Sequence, residues 1–311
     1  MARSPFHVRR EQHHLAWDGS IAPVLRVGSG DEVTFDALDA ANGQLSAAST
    51  VDAIATLDFA NVDQVCGPVY VEGAEPGDTL QVELLDFQPG DWGWTAAIPG
   101  FGLLADDFPD PALRISRIAG GAAELLPGIR VPIAPFCGEL GVAPPVADGP
   151  RSTIPPTELG GNMDTRHLTA GATLWLPVAV PGALFSLGDG HAAQGDGEIC
   201  GTAVETPMQA RVRLSVRKDV RVRAPEFRTA GPLGASTNTA GWYATDGVGP
   251  DLLVAAKDAA RRMIDRLGAE HGLSAVDAYL LLSVAGDLRI SEIVDLPNVI
   301  VTMYCPRALF A

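Results

Sequence analysis

The stretch GDGHAAQGDGEIC (Gly188–Cys200) sets Asp189, His191, Gln194, Asp196 and Glu198 among four glycines, directly behind the apolar run LWLPVAVPGALFSL. A turn needs one or two glycines and an Asp; ionisable groups at two-residue intervals exceed that need. Glycines let the backbone turn tightly and come close to a ligand. If the segment is locally extended, Asp189 and His191 share one side, as do Asp196 and Glu198. Imidazole and carboxylate together suit one divalent ion, zinc in particular. A carboxylate crowded by another gains proton affinity and can act as a general base. An EF-hand calcium loop does not fit, because its spacing of acidic ligands is missing. The plainer alternative is an acidic surface loop with a capping Asp and a solvated His.

Other polar clusters sit elsewhere in the chain. GGNMD puts Asn162 and Asp164 on one side of a short extended segment, where Asn can hold an amide and Asp can ligate a metal; an Asx-turn is the structural alternative. EQHHLAWDG offers His13 and His14, which as strand neighbours face opposite ways, so at most one would enter a given site. Glu72 in GPVYVEGAEPGDTL reads best as a strand-edge carboxylate. Cys137, in PFCGELGVAPP, has neither a local base nor a positive field to activate it. Asp91–Gly102, DWGWTAAIPGFG, is the candidate for apolar and aromatic closure of a small pocket.

The elements that must position these groups are mostly strands. DTLQVELLDFQ (78–88) and ARVRLSVRKDVRV (210–222) alternate apolar and polar residues, as half-buried antiparallel strands do. LWLPVAV (174–180) and GIRVPIAPF (128–136) carry internal prolines, which suits edge strands or strand ends. With 34 Gly and 24 Pro, turns must be frequent. Many short strands with frequent turns predict a mainly β chain, with a sandwich or barrel-like body over residues 1–240. A smaller α+β portion is expected over 241–311. There, Leu252, Ala255, Ala259, Met263 and Leu267 follow helical spacing between Pro250 and Gly272, and Ser274 caps a second helix running to about Ala285. Strand-like LRISEIV and NVIVTMYCP follow.

Composition excludes several function classes. The chain has 311 residues and a net charge of −16, which repels phosphate backbones and anionic lipid surfaces, so nucleic acid and membrane are not expected partners. No apolar run reaches the length of a membrane span, and no apolar segment follows the basic start as in a secretory signal. Four scattered cysteines without CxxC pairing point to a reduced, cytoplasmic protein.

Taken in order, GPVYVEGAEPGDTLQVEL, PFCGELGVAP, GGNMDTRHL, the run from Leu174 through GDGHAAQGDGEICGTAVE, and AGDLRISEIVDLPN resemble the acetamidase/formamidase family from about His14 to Phe310. The resemblance implies hydrolysis of a short aliphatic amide such as formamide or acetamide to carboxylate and ammonia. It also implies a sandwich-type body with a barrel-like portion, and a homo-oligomer. Asn162, Asp164, Asp189, His191, Gln194, Asp196 and Glu198 fall on the family's motif positions. Amide cleavage through a Ser-Ser-Lys core or a GxSxG elbow lacks its motif here. A Cys-Glu-Lys route would have to use one of only two lysines, both far from Cys137 in sequence. Metal-activated water is the route left. His191, Asp189 and Asp164, or an N-terminal His, are the expected ligands of a divalent ion, zinc ahead of calcium. Glu198 or Asp196 is the expected base, with Asn162 and Gln194 orienting a neutral amide. Two other classes stay open: a metal- or sugar-binding sandwich module without chemistry, and an amidohydrolase for a larger or cyclic amide.

Overall fold

The computed structural model describes residues 6–231 and 240–310. One six-stranded sheet runs in the order Phe6–Val8, Asp31–Ala37, Met208–Arg217, Thr79–Pro89, Thr173–Pro177, Glu226–Arg228. Its long central strand alternates as the sequence does: Ala210, Val212 and Leu214 are buried, while Arg211 and Arg213 lie on the other face. Those arginines reach across the ladder, Arg211 to Glu32 at 2.9 Å and Arg213 to Glu32 at 2.6 Å and Glu83 at 3.1 Å. Such cross-strand charge pairs help hold the register on the open face.

The second six-stranded path runs Gly160–Asn162, Phe136–Val142, Phe185–His191, Val65–Val71, His13–His14, with Leu25–Val27 added in parallel beside Val65–Val71. The two sheets share one apolar core, in which Phe35 meets Phe185 edge-on at 6.0 Å between ring centres. This is a β-sandwich. The barrel-like portion expected alongside it is absent among the described residues: every sheet runs from one open edge to another, and none closes.

A four-stranded meander, Ile129–Pro132, Ala122–Leu126, Ala112–Ala119 and Trp92–Ala97, flanks the sandwich. The C-terminal part holds helices α1 (Leu252–His271) and α2 (Ala275–Ala285) and the three-stranded sheet Trp242–Gly249, Val299–Pro306, Asp287–Glu292. Asp251 caps α1 by accepting from the Val254 amide at 2.9 Å, and Gly272 ends it in the left-handed conformation, φ 68°. Ser274 caps α2, which is apolar nearly all round and buried from Ala278 to Val284. Its burial is explained by one core that joins α1, α2, the meander and the segment carrying Ala192, Ile199 and Val204. No described helix is long and apolar enough to cross a membrane.

Candidate active site

Strands Phe136–Val142 and Phe185–His191 are buried along their whole lengths and pair antiparallel, Glu139 opposite Gly188. Asn162 lies opposite Glu139 on the far side, and Val65 opposite Gly188 on the near side, two residues after Asp63. One end of this sheet therefore collects Asp63, Glu139, Asp164, Asp189 and His191. Glu205 joins them by pairing its backbone with Trp94, 2.9 and 2.8 Å, and Glu198 arrives on a turn. Gly138 keeps the centre open: a Cβ there would collide with the carboxylates of Asp164 and Asp189 and the ring of His191.

Seven described non-glycine residues have positive φ, and four are site acids: Asp63 (51°), Asp164 (44°), Asp189 (55°) and Glu198 (41°). The left-handed region costs an ordinary residue about 1 kcal/mol, and such strain gathers where side chains must be aimed at a site.

His191 is the hub. Its Nε2 lies 2.9 Å from Asp189 Oδ2, 3.1 Å from Glu205 Oε2 and 4.0 Å from Glu198 Oε1. Its Nδ1 lies 2.8 Å from Gln194 Oε1, and the Gln194 amide nitrogen donates to the Asp164 carbonyl at 2.7 Å. That second bond fixes which way the amide faces, so Nδ1 carries the hydrogen and Nε2 is turned to the acids. Phe136 closes on the ring edge-on at 5.0 Å.

Burial and mutual repulsion raise most of these acids: Asp164 to about 7, and Asp63 and Glu205 each to about 8. Glu139 and Glu198 are pushed well above the usual carboxylate range, by burial first and then by neighbouring acids. Burial also opposes the charge on Asp189, yet the His191 imidazolium holds it below its usual value. Burial disfavours the imidazolium itself, but Asp189 and Glu205 raise His191 well above its ordinary pKa.

The donor set fits a divalent cation. Ligand atoms of Asp164, Asp189 and His191 lie within 4.8 Å of one another, as do those of His191, Glu198 and Glu205. Glu139 is 0% exposed with both carboxylate oxygens lacking a hydrogen-bond partner. Among the described residues, no Lys or Arg pairs with any of these acids, and four of them have His191 as their cationic neighbour. Buried negative charge on this scale calls for a cation or for protons.

Asp63, Asp164, Asp189, Glu198 and Glu205 open onto a cavity of about 160 Å³, whose remaining lining includes Ala40, Leu57, Phe59, Trp94, Ile98, Phe101, Ile154 and Asn162. Trp94, Ile98 and Phe101 come from the Asp91–Gly102 stretch. Trp94 is held by its Nε1–H donating to the buried Asp39 at 2.9 Å. Asn162 donates to the Ile154 carbonyl at 3.0 Å, and its Oδ1 is buried without a partner.

Of the residues expected at a site, Asn162, Asp164, Asp189, His191 and Glu198 meet here. Gln194 stands behind His191 rather than in the cavity. Asp196 is not brought in: the segment is a turn, not an extended strand, so the alternation that would align it with Glu198 fails. Asp196 instead faces Arg166 at 3.7 Å, His167 at 3.8 Å and Arg289 at 3.6 Å. His13 bonds the Arg10 carbonyl, and His14 is committed to Ser186 Oγ at 2.8 Å and the Ala16 carbonyl at 2.7 Å; neither lines the cavity. Glu72 is an exposed partner of Arg26. Cys137 is buried, and burial pushes its thiol far up. Asp63 and Glu205, missed in the sequence, sit in NVDQV and AVETP with no glycine or second ionisable group beside them; only the strand pairing reveals them.

The acetamidase/formamidase family model matches residues 2–147 and 144–311. The chain belongs to the acetamidase/formamidase family. Membership places it among hydrolases of linear amide C–N bonds. It is 27% identical to the formamidase of Methylophilus methylotrophus, over 96% of this chain and 89% of that one. It superposes with a TM-score of 0.89 on a gamma lactamase from Delftia acidovorans, at 26% identity over 96% of this chain and 89% of that one. An acetamidase from Bacillus halodurans matches at TM-score 0.69 and 33% identity, over 98% of both chains.

Proposed function

We propose that this member of the family hydrolyses a neutral primary amide to the carboxylate and ammonia in the acid-lined cavity, formamide and acetamide being its smallest substrates. The observation that carries the reading is the convergence of Asp164, Asp189, Glu198, Glu205 and His191 on one cavity. His191, Asp189 and Asp164 would hold a divalent cation, with Glu205 beside them; an imidazole in the set favours zinc over the all-oxygen shells of calcium. Such a cation supplies Lewis acidity to the amide oxygen and makes a water more acidic.

The chain's own groups do the rest. Asn162 Oδ1 accepts from the substrate N–H and sets the plane of the amide. Glu198 Oε1, raised in proton affinity, takes a proton from water as the water oxygen bonds to the carbonyl carbon. It then hands that proton to the amide nitrogen as the C–N bond breaks, which lets ammonia leave. Gln194 holds His191 in the tautomer that presents Nε2 to the acids.

Dialysis against a strong chelator is expected to abolish ammonia release from acetamide, with zinc restoring it. Full activity in metal-free protein would remove the cation from this account. A cyclic-amide reading has one observation in its favour, the 0.89 superposition on a gamma lactamase. Opening a lactam ring yields an amino acid and no ammonia, so product analysis separates the two.

A further inference from the structure

Resting on the amide-hydrolase reading, the cavity says more about the substrate. We infer that the preferred substrate is a primary amide whose carbonyl carbon carries a branched or cyclic apolar group of about four to six carbons, larger than the methyl of acetamide and bearing no carboxylate. A closed apolar cavity of about 150 Å³ in another protein holds a benzene molecule. The cavity here is about 160 Å³ and open at its mouth, so with the cation, water and carboxamide at its acidic end an apolar group larger than methyl extends along the apolar wall toward the rim. Once the carboxamide sits against Asn162 and Glu198, the volume left is bordered by Leu57, Trp94 and Ile98. Phe59, Phe101 and Ile154 also line it and are 48%, 41% and 37% exposed, so they form an apolar rim at its mouth. Water held against such walls is released when an apolar acyl group replaces it, and each added methylene contributes to binding. The surrounding acids repel a substrate carboxylate.

The test is a panel of formamide, acetamide, isovaleramide, benzamide and succinamate, scored by ammonia release from the metal-loaded enzyme. Isovaleramide and benzamide are expected to exceed acetamide in kcat/KM by at least about tenfold, with succinamate far below them. Phe101→Ala, a change at the exposed rim, should cut the benzamide-to-acetamide ratio several-fold. Acetamide turned over faster than both bulky amides, or succinamate handled as well as isovaleramide, would overturn the inference and leave the amide-hydrolase reading standing. No ammonia from any compound would sink that reading itself.

Discussion

Gln194 touches no part of the cavity, yet it decides what His191 can do. Its amide is oriented by donating to the Asp164 carbonyl at 2.7 Å, which leaves its oxygen to accept from His191 Nδ1. Replacing it with Glu would put a carboxylate where a neutral acceptor stands, and replacing it with Leu would leave Nδ1–H buried and unpaired. Partners of this kind are worth about 10–100-fold in metal affinity or activity. Gln194→Leu is therefore expected to lower zinc affinity and kcat in that range, with the fold intact by circular dichroism. Unchanged zinc affinity would make Gln194 a packing residue.

At the scale of elements, the turn carrying Glu198 is braced by the C-terminal part. Gly195 donates to the Ser283 carbonyl at 2.7 Å, Cys200 to Ser283 Oγ at 3.1 Å, and Tyr279 donates to the Ile199 carbonyl at 2.5 Å. The Leu288 amide donates to the Asp196 carbonyl at 2.9 Å. Arg166, two residues past Asp164, pairs with Asp287, which is 1% exposed, and also faces Asp196. The loops bearing Asp164 and Glu198 are thus tied to a single buried carboxylate in the last sheet. Arg166→Ala leaves Asp287 with Arg289 alone. It should cost about 2 kcal/mol of stability and lower kcat more than it raises KM, because the substrate still meets Asn162 while Glu198 is misplaced. A loss confined to KM would contradict this coupling. Much of this part was legible in advance: the caps at Ser274 and Gly272 and the helical spacing of Leu252–Leu267 are local signals. The role of Asp196 was not, because a turn and an extended segment read alike in GDGE. Asp63 and Glu205 gave no signal, since pairing across more than a hundred residues brought them in.

For the whole molecule, the buried acids make stability depend on pH and metal together. A carboxylate whose folded pKa lies above its unfolded value binds more protons in the folded state, so stability falls as pH rises between the two. Asp63 and Glu205, at about 8, and Asp164, at about 7, act in this sense from about pH 4 upward. His191, also raised, has its stabilising effect fully present below its unfolded pKa and loses it as pH climbs through the folded one. Asp189, lowered, acts only in strong acid. Chelated protein should therefore show a melting temperature that declines from pH 5 to pH 8. Zinc at pH 8 should recover it by preferential binding to the folded state. A melting temperature flat across that range in chelated protein would mean that the acids are not the uncompensated cluster described.

The left-handed backbone beneath Asp63, Asp164, Asp189 and Glu198 has an evolutionary corollary. At these positions durability and turnover want different residues: asparagine tolerates that conformation at least as well as an acid and brings no buried charge. Asp164→Asn should yield a sturdier chelated protein with a dead active centre, distinguishable by higher melting temperature and lost ammonia release in one preparation. Relatives that have given up catalysis to serve as inert scaffolds would be expected to drift first at these four residues.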